Sequence, residues 1–108
     1  MSDYVKSLTE ATFDAEIAGT DKLVLIDFTA DWCAPCKQIA PTIEEIAEVY
    51  ADQLFVGKVD ADENPDLAKR FGVRGLPTLL VLKGGKEAER AFSLTKTRLA
   101  AMIDAHLA

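Results

Sequence analysis

The chain predicts an α/β domain whose mixed sheet is covered by helices on both faces, and three observations carry that expectation. Strand-like apolar runs alternate with amphipathic helical stretches along most of the sequence. One run, Leu23-Val24-Leu25-Ile26-Asp27-Phe28, is apolar on both sides apart from Asp27, the pattern of a central strand with both faces buried. Near the end the alternation breaks: two strand-like runs follow each other across Gly84-Gly85, which signals a hairpin and hence an antiparallel pair.

Each element has its own signal. Tyr4 to Leu8 reads as a short edge strand, and Thr9 to Ile17 as a helix with Thr9 as cap, Phe13 and Ile17 on one face and Gly19 as stop. Leu23 to Thr29 is the central strand. A helix follows from about Cys33 to Tyr50, with Ile39, Ile43, Ile46 and Tyr50 at helical spacing and a kink expected at Pro41. Leu54 to Val59 is a strand, Asp60 to Asn64 a polar loop, and Pro65 to Arg70 a short helix ended by Gly72. Thr78 to Leu82 and Glu87 to Phe92 form the hairpin. Leu99, Met102, Ile103 and Leu107 mark a last helix capped by Thr95. The expected order is β-α-β-α-β-α-β-β-α. Phe13, Phe28, Phe55 and Phe71 are expected in the core.

The chain has 108 residues, 49% of them hydrophobic, which suits a single domain over residues 1–108 with a modest core. Its net charge of -6 argues against nucleic acid or an anionic membrane surface as partner. The first twenty residues hold no uninterrupted apolar block, so no signal peptide is expected, and no stretch is long enough to span a bilayer. The expected compartment is the cytoplasm, where structural disulfides are rare and a paired C-x-x-C is catalytic or metal-binding rather than a staple.

Both cysteines of the chain sit in Trp32-Cys33-Ala34-Pro35-Cys36. Thiols three residues apart on a helix share a face, so their sulfurs can meet. Redox chemistry, metal binding and two inert thiols are the three readings. A zinc site needs four protein ligands, or three and a water, and the only histidine, His106, lies near the far end. A metal within one chain is therefore not expected, whereas one shared by two copies stays open. For redox work Cys33 is the better nucleophile, because the helix N-terminus stabilises its thiolate. Cys36, one turn inside and expected to be less exposed, would resolve the mixed disulfide. Pro35 is tolerated in the first turn. Such a pair needs no bound cofactor.

Asp27 interrupts an apolar strand. Buried, it would have a raised pKa and could exchange a proton near neutral pH; at the strand's end it could instead face solvent. Lys58, on the next expected strand, reads by itself as a surface lysine. Trp32 either walls a groove beside Cys33 or packs under its loop.

These motifs form an ordered set: Asp27-Phe28, Trp32-Cys33-Ala34-Pro35-Cys36-Lys37, Ala40-Pro41, Val59-Asp60 with Asn64-Pro65, Gly72 to Thr78, and Gly84-Gly85. Over essentially its whole length the chain resembles the thioredoxin family. The resemblance implies a thioredoxin fold, with about five strands flanked by about four helices, and reduction of protein disulfides through Cys33 and Cys36. It implies proton exchange between Asp27 and Cys36, and a lysine at Lys58 near that carboxylate to tune it. It implies a cis bond between Leu76 and Pro77 opposite the cysteines, with Gly75 allowing close approach and backbone near Leu76 free to pair with an extended substrate. Trp32, Ala34, Pro35, Gly75, Leu76, Pro77, Phe92 and Ser93 are the implied substrate surface. The implied partners are disulfide-bearing proteins and a thioredoxin reductase, and a monomer is expected. A protein disulfide oxidase or isomerase, or a binding module whose thiols do no work, are the alternatives.

Three positions depart from the family pattern. Ala34 stands where glycine is usual, and Thr29 where an aromatic residue is common, which predicts a more polar site floor. The segment Ala91-Phe92-Ser93-Leu94-Thr95 is one residue shorter than its usual counterpart and lacks its glycine, which predicts a bulkier groove wall.

Overall fold

Nine elements follow one another in the computed structural model, which describes residues 3–108. They are β1 (Val5–Ser7), α1 (Phe13–Ala18), β2 (Leu23–Thr29), α2 (Ala34–Val49), β3 (Leu54–Asp60), α3 (Pro65–Arg70), β4 (Thr78–Lys83), β5 (Lys86–Ala91) and α4 (Lys96–Leu107). The order is the expected one. The strands form one sheet, β1-β3-β2-β4-β5. β1, β3 and β2 run parallel, while β4 runs antiparallel to β2 and pairs with β5 as a hairpin. This is a thioredoxin fold.

Alternation along the strands sorts the core into two layers. Leu23, Leu25, Val56, Leu79 and Val81 face Ile39, Ile43 and Ile46 of α2 and Leu99, Met102 and Ile103 of α4. Val24, Ile26, Phe28, Val59, Leu80 and Leu82 face the other way, onto Phe13 of α1 and Leu67 of α3. β2 is the central strand, and Leu23 to Phe28 are all buried, so burial on both faces explains why its apolar run barely alternates.

Glycines make two of the tight places possible. Gly84 and Gly85 both take positive φ, 58° and 80°, in the β4–β5 turn. Gly57 in β3 lets Leu8 lie against the sheet: a Cβ there would stand 2.5 Å from Leu8 Cδ1. Helix α2 runs unbroken through Pro41, whose missing N–H removes one bond of the helical ladder.

Some boundaries differ from expectation. Thr9 does not cap α1. Its carbonyl accepts from the amides of Thr12 and Phe13, closing a turn that precedes the helix, and Thr12 occupies the cap position. β5 stops at Ala91, leaving Phe92 outside the strand. Phe13 and Phe28 are core residues, but Phe55 and Phe71 are half-buried at its margin. The ring of Phe71 lies 5.5 Å from that of Phe13 and 6.0 Å from that of Phe28. Thr95 does cap α4, accepting from the Arg98 amide at 3.2 Å.

Candidate active site

Four segments converge where β2 and β3 end and β4 begins. β2 leads through Ala30–Trp32 into α2, whose N-cap is Cys33, in extended backbone. Cys33 and Cys36 are joined in a disulfide with Cα atoms 5.3 Å apart, so the structure is the oxidised form. The Cys36 amide donates to Cys33 Sγ at 3.2 Å, a hydrogen bond that a Cys33 thiolate would strengthen. Pro35 sits in the first turn of α2, as its lack of a donor allows.

Cys33 and Cys36 are each only 2% exposed and form a small buried cluster with Ala30, against which Leu76 packs. The expected difference in exposure between the two is therefore absent from the oxidised form. Ala30 and Leu76 cover the pair. Ala34, Pro35 and Gly75 are exposed around it.

Leu76-Pro77 is a cis peptide bond. Leu76 touches the cysteine cluster, while Pro77 is buried and leads directly into β4. Among the described residues, neither the N–H nor the C=O of Leu76 enters a hydrogen bond. The Gly75 carbonyl accepts from Thr78 Oγ1 at 2.6 Å.

Asp27 is 5% exposed, which removes the solvent-facing alternative. Alternation puts it on the face of β2 covered by α2 and α4, beyond Leu23 and Leu25. Burial pushes its carboxyl up to about 6, and the charge of Lys58 pulls it partly back. Its Oδ1 is buried with no hydrogen-bond partner. Asp27 and Lys58 are paired in register across β2 and β3, and Lys58 itself is exposed. Thr29, half-buried, continues the same face.

Trp32 does not pack under its loop. It is 69% exposed and donates Nε1–H to Asp62 Oδ2 at 2.6 Å. Asp62 went unread in the sequence. It lies in a polar loop thirty residues on, and only the parallel pairing of β2 with β3 brings that loop beside Trp32. Arg90 went unread as well. From β5 it donates to the carbonyls of Phe71 and, at 3.3 Å, Gly72, while Glu87 holds its guanidinium. It thus ties the end of α3, where the segment leading to Pro77 begins, to the hairpin. An arginine in an exposed, charge-rich strand carries no sequence signal for that task.

Phe92 is 60% exposed, and Ser93 beside it is also exposed. His106 lies against Glu89 at 2.7 Å, between α4 and β5. Among the described residues no three His, Cys, Asp or Glu side chains gather as metal ligands, and no helix is long and apolar enough to cross a membrane.

Comparison with known proteins agrees with this geometry. The family model described as Thioredoxin matches residues 4–105. The chain is 45% identical to a thioredoxin of Acidithiobacillus ferridurans over 108 residues, 99% of this chain and 100% of that one. It is 43% identical to a thioredoxin of Pseudomonas aeruginosa with the same coverage, and 43% identical over 102 residues to thioredoxin 1 of Synechococcus elongatus, covering 94% and 95% of the two chains. The chain belongs to the thioredoxin family, and its Cys33–Cys36 pair makes it a thiol-disulfide oxidoreductase of the protein-disulfide-reductase kind.

Proposed function

We propose that the chain reduces disulfides in extended segments of other proteins, with Cys33 as nucleophile and Cys36 as resolving thiol. The Cys36 amide at Cys33 Sγ is the observation that carries this assignment: the first turn of α2 directs a donor at Cys33. In the reduced protein the Cys33 thiolate attacks one sulfur of the substrate disulfide. A mixed disulfide forms, and the other substrate sulfur leaves as a thiolate that takes up a proton. Cys36 gives up its proton, attacks Cys33 Sγ and expels the second substrate thiolate. Two electrons have then passed to the substrate, and Cys33–Cys36 is oxidised.

Asp27 is the acceptor for the Cys36 proton in this reading. A carboxyl whose pKa is raised to about 6 is ionised yet still basic at neutral pH, and it sits on the face of β2 that α2 covers. Lys58 keeps that pKa from rising further. The unpaired backbone of Leu76, beside the cysteines, offers a donor and an acceptor to a substrate strand. Trp32, Ala34, Pro35, Gly75, Phe92 and Ser93 form the rim around it, with Pro77 buried next to Leu76. Substrates are disulfide-bearing proteins, and a thioredoxin reductase returns the pair to the dithiol. The compartment is one that keeps thiols reduced, the cytoplasm.

The test is reduction of insulin disulfides by dithiothreitol with and without the protein. Clear acceleration is expected, and rates equal to dithiothreitol alone overturn the reading. Cys33→Ser should abolish the acceleration, and Cys36→Ser should accumulate a mixed disulfide on Cys33.

A further inference from the structure

Among the described residues four large apolar side chains stand exposed: Tyr4, Trp32, Val49 and Phe92. Two of them, Trp32 and Phe92, lie at the disulfide end of the sheet. Trp32 leaves β2 on the side of β3, where Asp62 holds it. Phe92 leaves β5 on the opposite side. The β4–β5 ladder ends at the pair of Ala91 with Leu79, so Phe92 directly follows a residue whose partner lies two positions after cis Pro77. On the other side of Pro77, Leu76 touches the cysteine cluster.

The Phe92 segment is anchored at both ends. Ala91 is held in the ladder, Leu94 packs against the core under α2 and α4, and Thr95 caps α4. The exposed ring therefore belongs to a short, tethered wall. A ring with two side-chain torsions loses little freedom when a partner covers it, and contact with apolar or aromatic side chains is its favourable use.

We propose that Phe92 sets substrate choice, favouring disulfides whose attacked cysteine is flanked by a large apolar residue of the substrate strand laid along Leu76. The proposal rests on the strand-addition reading above and adds to it the class of side chain selected. Thiol-disulfide exchange itself is unchanged. Phe92 enters through binding of the flanking residue, so its signature is a ratio between substrates.

The experiment uses the full chain, pre-reduced and freed of reductant, in single turnover at low concentrations of peptides with one internal disulfide. The residue flanking the attacked cysteine is Phe, Leu, Ala, Lys or Asp, and product is read by acid quench and thiol alkylation. The Phe and Leu peptides are expected to react about tenfold faster than the Ala peptide, the scale of one aromatic contact at a binding site. In Phe92→Gly that ratio should fall to about twofold or less, while Phe92→Leu keeps most of it. Unfolding midpoints confirm that the variants are folded. Equal rates across the series, selectivity surviving in Phe92→Gly, or a preference for the Lys or Asp peptide overturns the proposal. Failure to reduce any peptide overturns the strand-addition reading, and this proposal with it.

Discussion

The two faces of the sheet are made from the same strands by the same alternation, yet they end differently. On the α1–α3 face, Val24, Ile26, Phe28, Val59, Leu80 and Leu82 are apolar, and Thr78, paired with Phe28 at the disulfide end, is uncharged and donates its hydroxyl to the Gly75 carbonyl. On the α2–α4 face, Leu23, Leu25 and Val56 give way to Asp27 and Lys58 where β2 and β3 approach the disulfide. The buried ionisable side chain of the described residues, Asp27, thus stands at one end of one layer. The apolar layer supplies stability. The interrupted one gives up some of it so that a carboxyl stands in a medium poor enough in water to raise its pKa to about 6.

That contrast can be broken or sharpened by substitution. The largest expected effect is on the apolar face. Phe28 is fully buried between Phe71 and the strands, so Phe28→Ala should cost about 3–5 kcal/mol, read from urea unfolding at pH 7. A loss below about 1 kcal/mol, well under the usual range for such a truncation, would show that this layer is not the tightly packed one.

Asp27→Asn should act in the opposite sense. The native carboxyl has a pKa of about 6, against about 3.9 in an unfolded chain. Between those values the native state binds the proton more tightly, so native stability falls as pH rises from about 4 to about 6. Above that window the full cost of holding a buried charge applies, about 3 kcal/mol for a shift of about two units. The asparagine variant has no such dependence. It should be the more stable protein at pH 7.5, by up to that amount, with the advantage shrinking as pH falls through the window. Disulfide reduction by it should be slower at neutral pH. Unfolding midpoints across that range are the measurement, and a constant difference would refute a buried, titrating Asp27.

The smallest effect belongs to Lys58, whose exposure lets solvent and salt screen its charge. Lys58→Met should move the Asp27 titration upward, since the lysine charge lowers that pKa. An NMR titration of the Asp27 carboxyl would report the shift. An unmoved curve would make Lys58 an ordinary surface residue and leave burial as the only influence on Asp27.

Much of this is legible in the sequence. Strand and helix periods, Gly84-Gly85 and the caps are local signals, so the nine elements, their order and the hairpin could be read in line. The cysteine pair was legible for the same reason: three residues of helix bring two thiols together. Errors fell where a local signal had a tertiary competitor. Thr9 looks like a helix cap, but it sits at a turn whose length is set by how Leu8 and Phe13 enter the same core layer. Asp62 and Arg90 were invisible, because each meets its partner across the sheet, thirty residues away for Trp32 and nineteen for Phe71.

Periodicity and spacing within single elements determined the class of fold, the meeting of two thiols and the oddity of a carboxylate in an apolar strand. Those properties depend on residues a few positions apart, where backbone geometry leaves little choice. The depth at which Asp27 is buried, the cis Leu76-Pro77 bond against the cysteines and the exposure of Trp32 and Phe92 on either side of them were decided only by the tertiary structure. Burial, and the pKa and contacts that follow from it, are properties of what other segments cover, and strand pairing between distant parts of the chain sets that cover.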